Sequence, residues 1–469
     1  MRLLAEWLRT CDCGPPAAPA FRPTRVLDVG DDGPGPKALR LHCTAASSDG
    51  YDYVALSHCW GRPTAEEWER VCTHPGNFET RCRNLPFIDM PKTFQDAITV
   101  TRKLGKRFLW IDSLCIIQGD EADWERESQL MESIFSSAYC TLSATSARGF
   151  NDGFLLPRHV RLCMPVPNAP KEAAAAAPLW LCETVDDFRA DVEMGVVNQR
   201  GWVLQERVLS RRTIYFTSSQ TYFECGGGVR CETMTRLRNP KAAIFGDHQF
   251  PAVMLRQKRE DQTRLLQQLF ETYSSLALTV PTDRAVAIAG LERRLERGGF
   301  GTAPYGFFGD HYRGLLWERR GASPPLQRIK YPARGRVPSW SWMAYDGEIQ
   351  YVDVPEEEME WLCRPAASIE LGSRYSRSGR RLKIAVDSLS LGELREEPWR
   401  LSLDDPGSVD LEDLMCAVVG RHMGNNDGVQ YYAVIVTTRL LQGYERVGIG
   451  RLQGRHIMHQ TPRLGGYLV

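Results

Sequence analysis

The chain has 469 residues, too many for one ordinary core, which implies two or three domains. Hydrophobic residues make up 43% and charged residues 25%, which excludes a disordered or fibrous chain. Lys plus Arg and Asp plus Glu are equal at 58 each, so overall charge gives no case for nucleic acid or an anionic membrane as partner, and no apolar run is long enough to span a bilayer.

The opening stretch, MRLLAEWLRTCDCGPP, carries Glu6 and Arg9 inside its apolar part. It reads as a short amphipathic helix and not as a signal peptide, so a cytoplasmic protein is expected. The Pro- and Gly-rich remainder of residues 1–50 reads as a loose lead-in with a strand or two. From residue 51 the pattern alternates. YDYVALSHC is a strand, and PKTFQDAITVTRKLG is a helix started by Pro91 and stopped at Gly105. RFLWIDSLCII is a nearly continuous apolar run, as for a strand buried on both faces. DEADWERESQLMESIFSSA is a helix and YCTLSAT a strand. Strand, helix, strand, helix, strand implies an α/β fold, a parallel sheet flanked by helices.

The Ala-rich stretch Pro167 to Pro178 reads as an exposed loop. NQRGWVLQERVLSRR is a helix and TIYFTSSQTYFEC a strand. Residues 255–300 read as helices, and from about 335 short alternating runs indicate a β-rich domain. The expected organisation is therefore a lead-in at 1–50, an α/β domain at 51–230, a helical segment at 231–330 and a β-rich domain at 331–469. PSWSW (Pro338 to Trp342) reads as aromatic packing between domains, and PEEEMEW (Pro355 to Trp361) as a solvated acidic face. Of the 14 cysteines, Cys11/Cys13 and Cys225/Cys231 lack zinc spacing, so no metal site is expected. Walker, Rossmann, G-x-S-x-G and H-E-x-x-H patterns are absent.

YVALSHCWG (Tyr53 to Gly61), the run from Leu85 through LPFIDMPKTFQDAITVTRKLGKRFLWIDSLCII to LSAT, and RGWVLQERVL (Arg200 to Leu209) together resemble, in order and spacing, the three blocks of the fungal heterokaryon-incompatibility (HET) domain. QGD (Gln118 to Asp120) and the Ala-rich insertion depart from that pattern. The resemblance implies a stand-alone fungal member linked to non-self recognition and cell death. HET domains are in turn distantly similar to TIR domains, which have a flavodoxin-like fold, and several TIR domains hydrolyse NAD with one glutamate. By that resemblance Glu206, four residues after Trp202, is the candidate catalytic acid, and NAD a candidate substrate with no cofactor required. Ligands of parallel α/β sheets sit at the carboxyl ends of the strands. Ser57, His58, Cys59, Asp112 and Cys115 are therefore expected to rim one cleft, with Asp112 and His58 as further catalytic candidates. Trp60 or Trp202 is placed to stack on a ring, and Gly61 to admit a phosphate to the backbone.

Each residue also has a plain structural explanation. Glu206 pairs with Arg200 or Arg207, His58 is a satisfied core histidine, and Cys59 and Cys115 are buried small hydrophobes. Asp112 ties down a helix or Arg200. Three functions stay open at this level: a TIR-like NAD hydrolase or ADP-ribosyl transferase; a signalling module that self-assembles or binds a protein partner without chemistry; and a HET-fold enzyme recruited to fungal secondary metabolism.

Overall fold

The computed structural model describes residues 1–14, 21–30, 39–44, 52–158, 162–166, 180–239, 241, 244–245, 247, 249–301, 304–307, 312–321, 323–332, 337–355, 359–362, 382–407, 409–423, 428–439, 443–459 and 464–469. The Ala-rich stretch at 167–178 and the acidic residues 356–358 lie outside them. The chain folds as two compact units, residues 1–250 and 251–469. No helix of the described residues is long and apolar enough to cross a membrane.

The strands of the first unit are β1 (Arg25–Asp28), β2 (Arg40–Cys43), β3 (Tyr53–Ser57), β4 (Phe108–Trp110), β5 (Cys140–Ser143), β6 (Cys163–Pro165), β7 (Trp180–Cys182), β8 (Arg212–Phe216), β9 (Thr221–Cys225), β10 (Gly228–Cys231) and β11 (Arg236–Leu237). Its helices are α1 (Arg2–Arg9), α2 (Ala65–Val71), α3 (Phe78–Arg83), α4 (Lys92–Lys103), α5 (Asp112–Cys115), α6 (Glu121–Ser137) and α7 (Gly201–Leu209). Nine strands form one sheet in the order β11-β10-β9-β8-β5-β3-β4-β1-β2, and β6 pairs with β7 alone. Only the central run β4-β3-β5-β8 is parallel; the other pairings are antiparallel. The fold is thus mixed α/β, a parallel centre extended on both sides by antiparallel strands.

The lead-in is less loose than its composition suggests. β1 and β2 complete one side of the sheet, and Leu4, Trp7 and Leu8 of amphipathic α1 enter the same core as β3 and β5. α4 begins after Pro91 and stops at Gly105, whose φ of +69° lets its N–H return to the carbonyl of Arg102. Two expected strands are different in the structure. The apolar run after Arg107 pairs only through Trp110, and Asp112–Cys115 turns into a single helical turn, the Asp112 carboxylate capturing the N–H of Ser113 at 2.7 Å. The run TIYFTSSQTYFEC is the hairpin β8–β9, closed at Thr217, whose hydroxyl donates to the carbonyl of Gln220 at 2.6 Å.

In the second unit the helix Arg259–Ser274 and three shorter α-helices precede an eight-stranded, almost wholly antiparallel sheet. Strands Met415–Met423, Val429–Arg439, Gly443–Gln453, Leu464–Leu468 and Leu382–Leu389 pair in turn, and the last returns to the first, closing a five-stranded barrel. The indoles of the PSWSW run are buried in this unit. Trp340 packs edge-on against Tyr305 and Phe307, and Trp342 packs against Phe270 and Tyr273. Its ring partners therefore come from the preceding helical segment of the same unit.

Candidate functional site

In chain order the four parallel strands are β3, β4, β5 and β8, and across the sheet they lie second, first, third, fourth. The direction of winding reverses between β3 and β5, and ligands of such sheets sit at the carboxyl ends of the strands on either side of that reversal. The end of β3 brings Ser57 and His58 to that side of the sheet, the chain after β4 brings Asp112, and α7 with the residue before it brings Glu206 and Arg200. The supports are stiff. Arg25 donates to the carbonyl of Cys115 at 2.6 Å and pairs with Asp123 at 2.5 Å, while Thr73 binds the carbonyls of Ser113 and Leu114; together they fix the turn that holds Asp112.

The groups contact or polarise one another. The Trp60 indole donates to Asp112 Oδ2 at 2.8 Å, and Arg200 donates to the carbonyl of His58 at 2.7 Å. His58 is buried edge-on against Phe94, with Nδ1 3.8 Å from Asp112, outside hydrogen-bonding distance. Burial lowers its pKa to about 4; the Asp112 charge works against that and Arg200 adds to it. The side chain is therefore a neutral imidazole at neutral pH. Glu206 behaves in the opposite way. Burial raises its carboxyl to about 7, with Asp112 adding to the rise, and Ser57 and Arg200 pulling back. The Ser57 hydroxyl lies beside Glu206 without completing a hydrogen bond of ordinary geometry. Asp112 is the opening of the group, its side chain 27% exposed against 1% for His58.

Neither suggested ion pair to Glu206 forms. Arg207 faces away and is committed to Glu224 at 3.2 Å, and Arg200 is turned to the His58 carbonyl. Arg200, which the sequence presents only as a potential tie for acids, is thus an integral member of the group: its charge acts on His58, Cys59 and Glu206 alike.

Other expected rim residues lie elsewhere. Cys115, the last residue of α5, is wholly buried and burial pushes its thiol up to about 12, so it rims no cleft. Cys59 packs with Val197 and Val203 beneath α7, and burial raises its pKa too. Trp202 meets Trp124 of α6 edge-on at 6.5 Å. Gly61 has φ +72°, and a Cβ there would stand 3.2 Å from the Cα of Gly149. Its glycine is explained by two backbones in contact. Trp60, partly exposed, remains the ring at the opening.

A family model described as heterokaryon incompatibility protein (HET) matches residues 53–206. The match begins with the first residue of β3 and ends on Glu206, so the whole group just described lies inside it. No curated protein and no solved structure matches the chain.

Proposed function

Because residues 53–206 form a heterokaryon incompatibility (HET) domain, which makes the chain a heterokaryon-incompatibility-related protein, we propose that this domain acts on a nicotinamide dinucleotide, with Glu206 as the catalytic carboxyl. One observation carries the reading: a buried carboxyl with its pKa raised to about 7, beside a second carboxylate, at the strand-order reversal of the sheet. Carboxyls perturbed by burial and a like charge cluster at active sites.

Cleavage of the nicotinamide–ribose bond leaves the bonding electron pair on nicotinamide and positive charge on the ribose. An ionised Glu206 beside C1′ stabilises that oxocarbenium ion. Water then adds to C1′ and yields its proton to the same carboxylate; the products are nicotinamide and ADP-ribose. A nucleophile other than water would give ADP-ribosyl transfer. In this reading Asp112 binds the ribose hydroxyls, Trp60 stacks on a ring and Arg200 pairs with the pyrophosphate. Neutral His58 and the Ser57 hydroxyl shape the floor.

The depth of the group supports a second reading. With His58 and Cys59 nearly inaccessible and Glu206 only 8% exposed, the cluster also suits a module that signals by self-assembly or by binding a protein partner. One assay separates the two. Purified protein at high concentration is incubated with NAD and nicotinamide is followed. The catalytic reading expects release from wild type and none from Glu206→Gln. Release that survives the substitution displaces Glu206, and no release from wild type favours the module.

A further inference from the structure

Outside this group, the thiols of Cys11, Cys13 and Cys225 converge. Their three sulfurs all lie within 4.8 Å of one another, and among the described residues this is the one such convergence of His, Cys, Asp or Glu side chains. Cys225 lies more than 200 positions from the Cys11/Cys13 pair, so the fold assembles the cluster. α1 docks through Trp7, whose ring stacks 5.9 Å from Phe223 of β9. The chain then turns through Cys11–Gly14, where Gly14 has φ +68°. Arg211 donates to the carbonyl of Gly14 at 2.5 Å and Arg230 to the Thr10 hydroxyl at 3.1 Å, pinning that turn from both sides. Cys225 closes β9, with the N–H of Gly227 directed at its sulfur at 3.4 Å. Cys13 and Cys225 are buried and Cys11 is half-buried; all three are free thiols.

We propose that Cys11, Cys13 and Cys225 bind one thiophilic d10 ion, Zn2+ or Cu+, through three thiolates. Zinc–sulfur bonds of about 2.3 Å around a tetrahedral ion place sulfurs about 3.8 Å apart, so the observed cluster needs little contraction. An all-sulfur set without imidazole or carboxylate selects soft ions over Mg2+ or Ca2+. The Arg212 guanidinium acts on Cys11 and that of Arg211 on Cys11 and Cys13, offsetting the charge that accumulates when the thiols lose protons to the metal. The ion enters on the half-exposed Cys11 side, which leaves a fourth position to water for zinc or none for a trigonal cuprous ion. It would staple the amino-terminal helix to the sheet at β9. The C-x-C pair and its distant third thiol have no recognisable linear spacing, which hid the site from the sequence.

The test uses the full chain, reduced and stripped of metal, then loaded with Zn2+ or, anaerobically, with Cu+, and desalted. Metal per chain is measured by mass spectrometry, and Co2+ substitution reports thiolate ligation through its charge-transfer band. One equivalent of ion and a strong band are expected, both lost in Cys11→Ser and both kept in Cys43→Ser, an exposed cysteine elsewhere. Circular dichroism checks that Cys11→Ser is folded; Cys11→Ala is the second variant. Which ion survives competition with the other identifies the metal. Failure to retain either ion, equal retention in the Cys11 variants, or a mass two daltons low from a disulfide among the three would each overturn the site.

Discussion

His58 and Glu206 are displaced from their ordinary pKa values by the same cause, burial, and in opposite senses of charge. The consequence is a stability prediction with a definite sign. The His58 imidazole titrates near 4 when folded and near 6.5 when not, so the unfolded chain binds more protons between those values and stability rises with pH there. Glu206 titrates near 7 when folded against 4.5 as a free side chain, so the native chain binds more protons and stability falls across that window. Each shift corresponds to roughly 3 kcal/mol, and in wild type the two slopes largely cancel between about pH 4.5 and 6.5. Removing one exposes the other. Glu206→Gln should gain stability steadily from pH 4 to 6.5, and His58→Gln should lose it from pH 4.5 to 7. Urea unfolding at a series of pH values checks this; two variants whose curves run parallel to wild type would contradict it. Gly61 is a second residue with a readable consequence. At φ +72°, with Gly149 in contact, Gly61→Ala should cost about 1–3 kcal/mol, measured by the same unfolding.

At the scale of elements, α7 is the piece on which the group depends. Apart from Trp202 all its residues are buried, and successive side chains serve opposite purposes: Glu206 joins Ser57 and Asp112, and Arg207 pairs with Glu224 of β9. Arg207 is held by Glu224, which also accepts from Tyr215 at 2.6 Å and Asn239 at 2.6 Å, and its guanidinium lies 4.2 Å from the Phe245 ring centroid. Arg207→Ala strands a buried carboxylate and should destabilise by about 3–5 kcal/mol, whereas Arg207→Met with Glu224→Leu should recover much of that loss. A double-mutant cycle by urea unfolding measures it, and additive losses would show that the pair is not coupled. The sequence announces α4 because its signals are local: Pro91 before the first turn, Gly105 after the last. It misreads the chain after Trp110 and after Phe216. An unbroken apolar run does not say where pairing stops, and TSSQ lacks the glycine that marks most tight hairpins. The position of Asp112, first residue of a turn and not part of a strand, was lost with that boundary.

For the whole molecule, what the sequence conceals is long-range assembly. That the centre is parallel follows from alternation; right-handed crossovers leave few arrangements but do not by themselves select the order β4-β3-β5-β8. The antiparallel flanks do not follow from it. Nothing near Arg25 or Arg40 says that β1 will pair with β4, some 80 residues on. The same holds for the three thiols and for Arg200 reaching the carbonyl of His58. These pairings also say what is needed for the first unit to fold. Its core joins α1, β1, β3, β4, β5, β8 and β9 in one apolar cluster containing Leu4, Val54, Leu142 and Phe223. A fragment spanning only the matched family segment, residues 53–206, lacks α1, β1, β2, the last turn of α7 and every strand from β8 to β11, and leaves Val54, Leu142 and their neighbours partly uncovered. Residues 1–250 contain the entire sheet. The longer fragment should therefore unfold in one cooperative urea transition with a near-ultraviolet tryptophan signal, and the shorter should show neither. A cooperative transition in residues 53–206 alone would mean that the flanking strands decorate a core that is already sufficient.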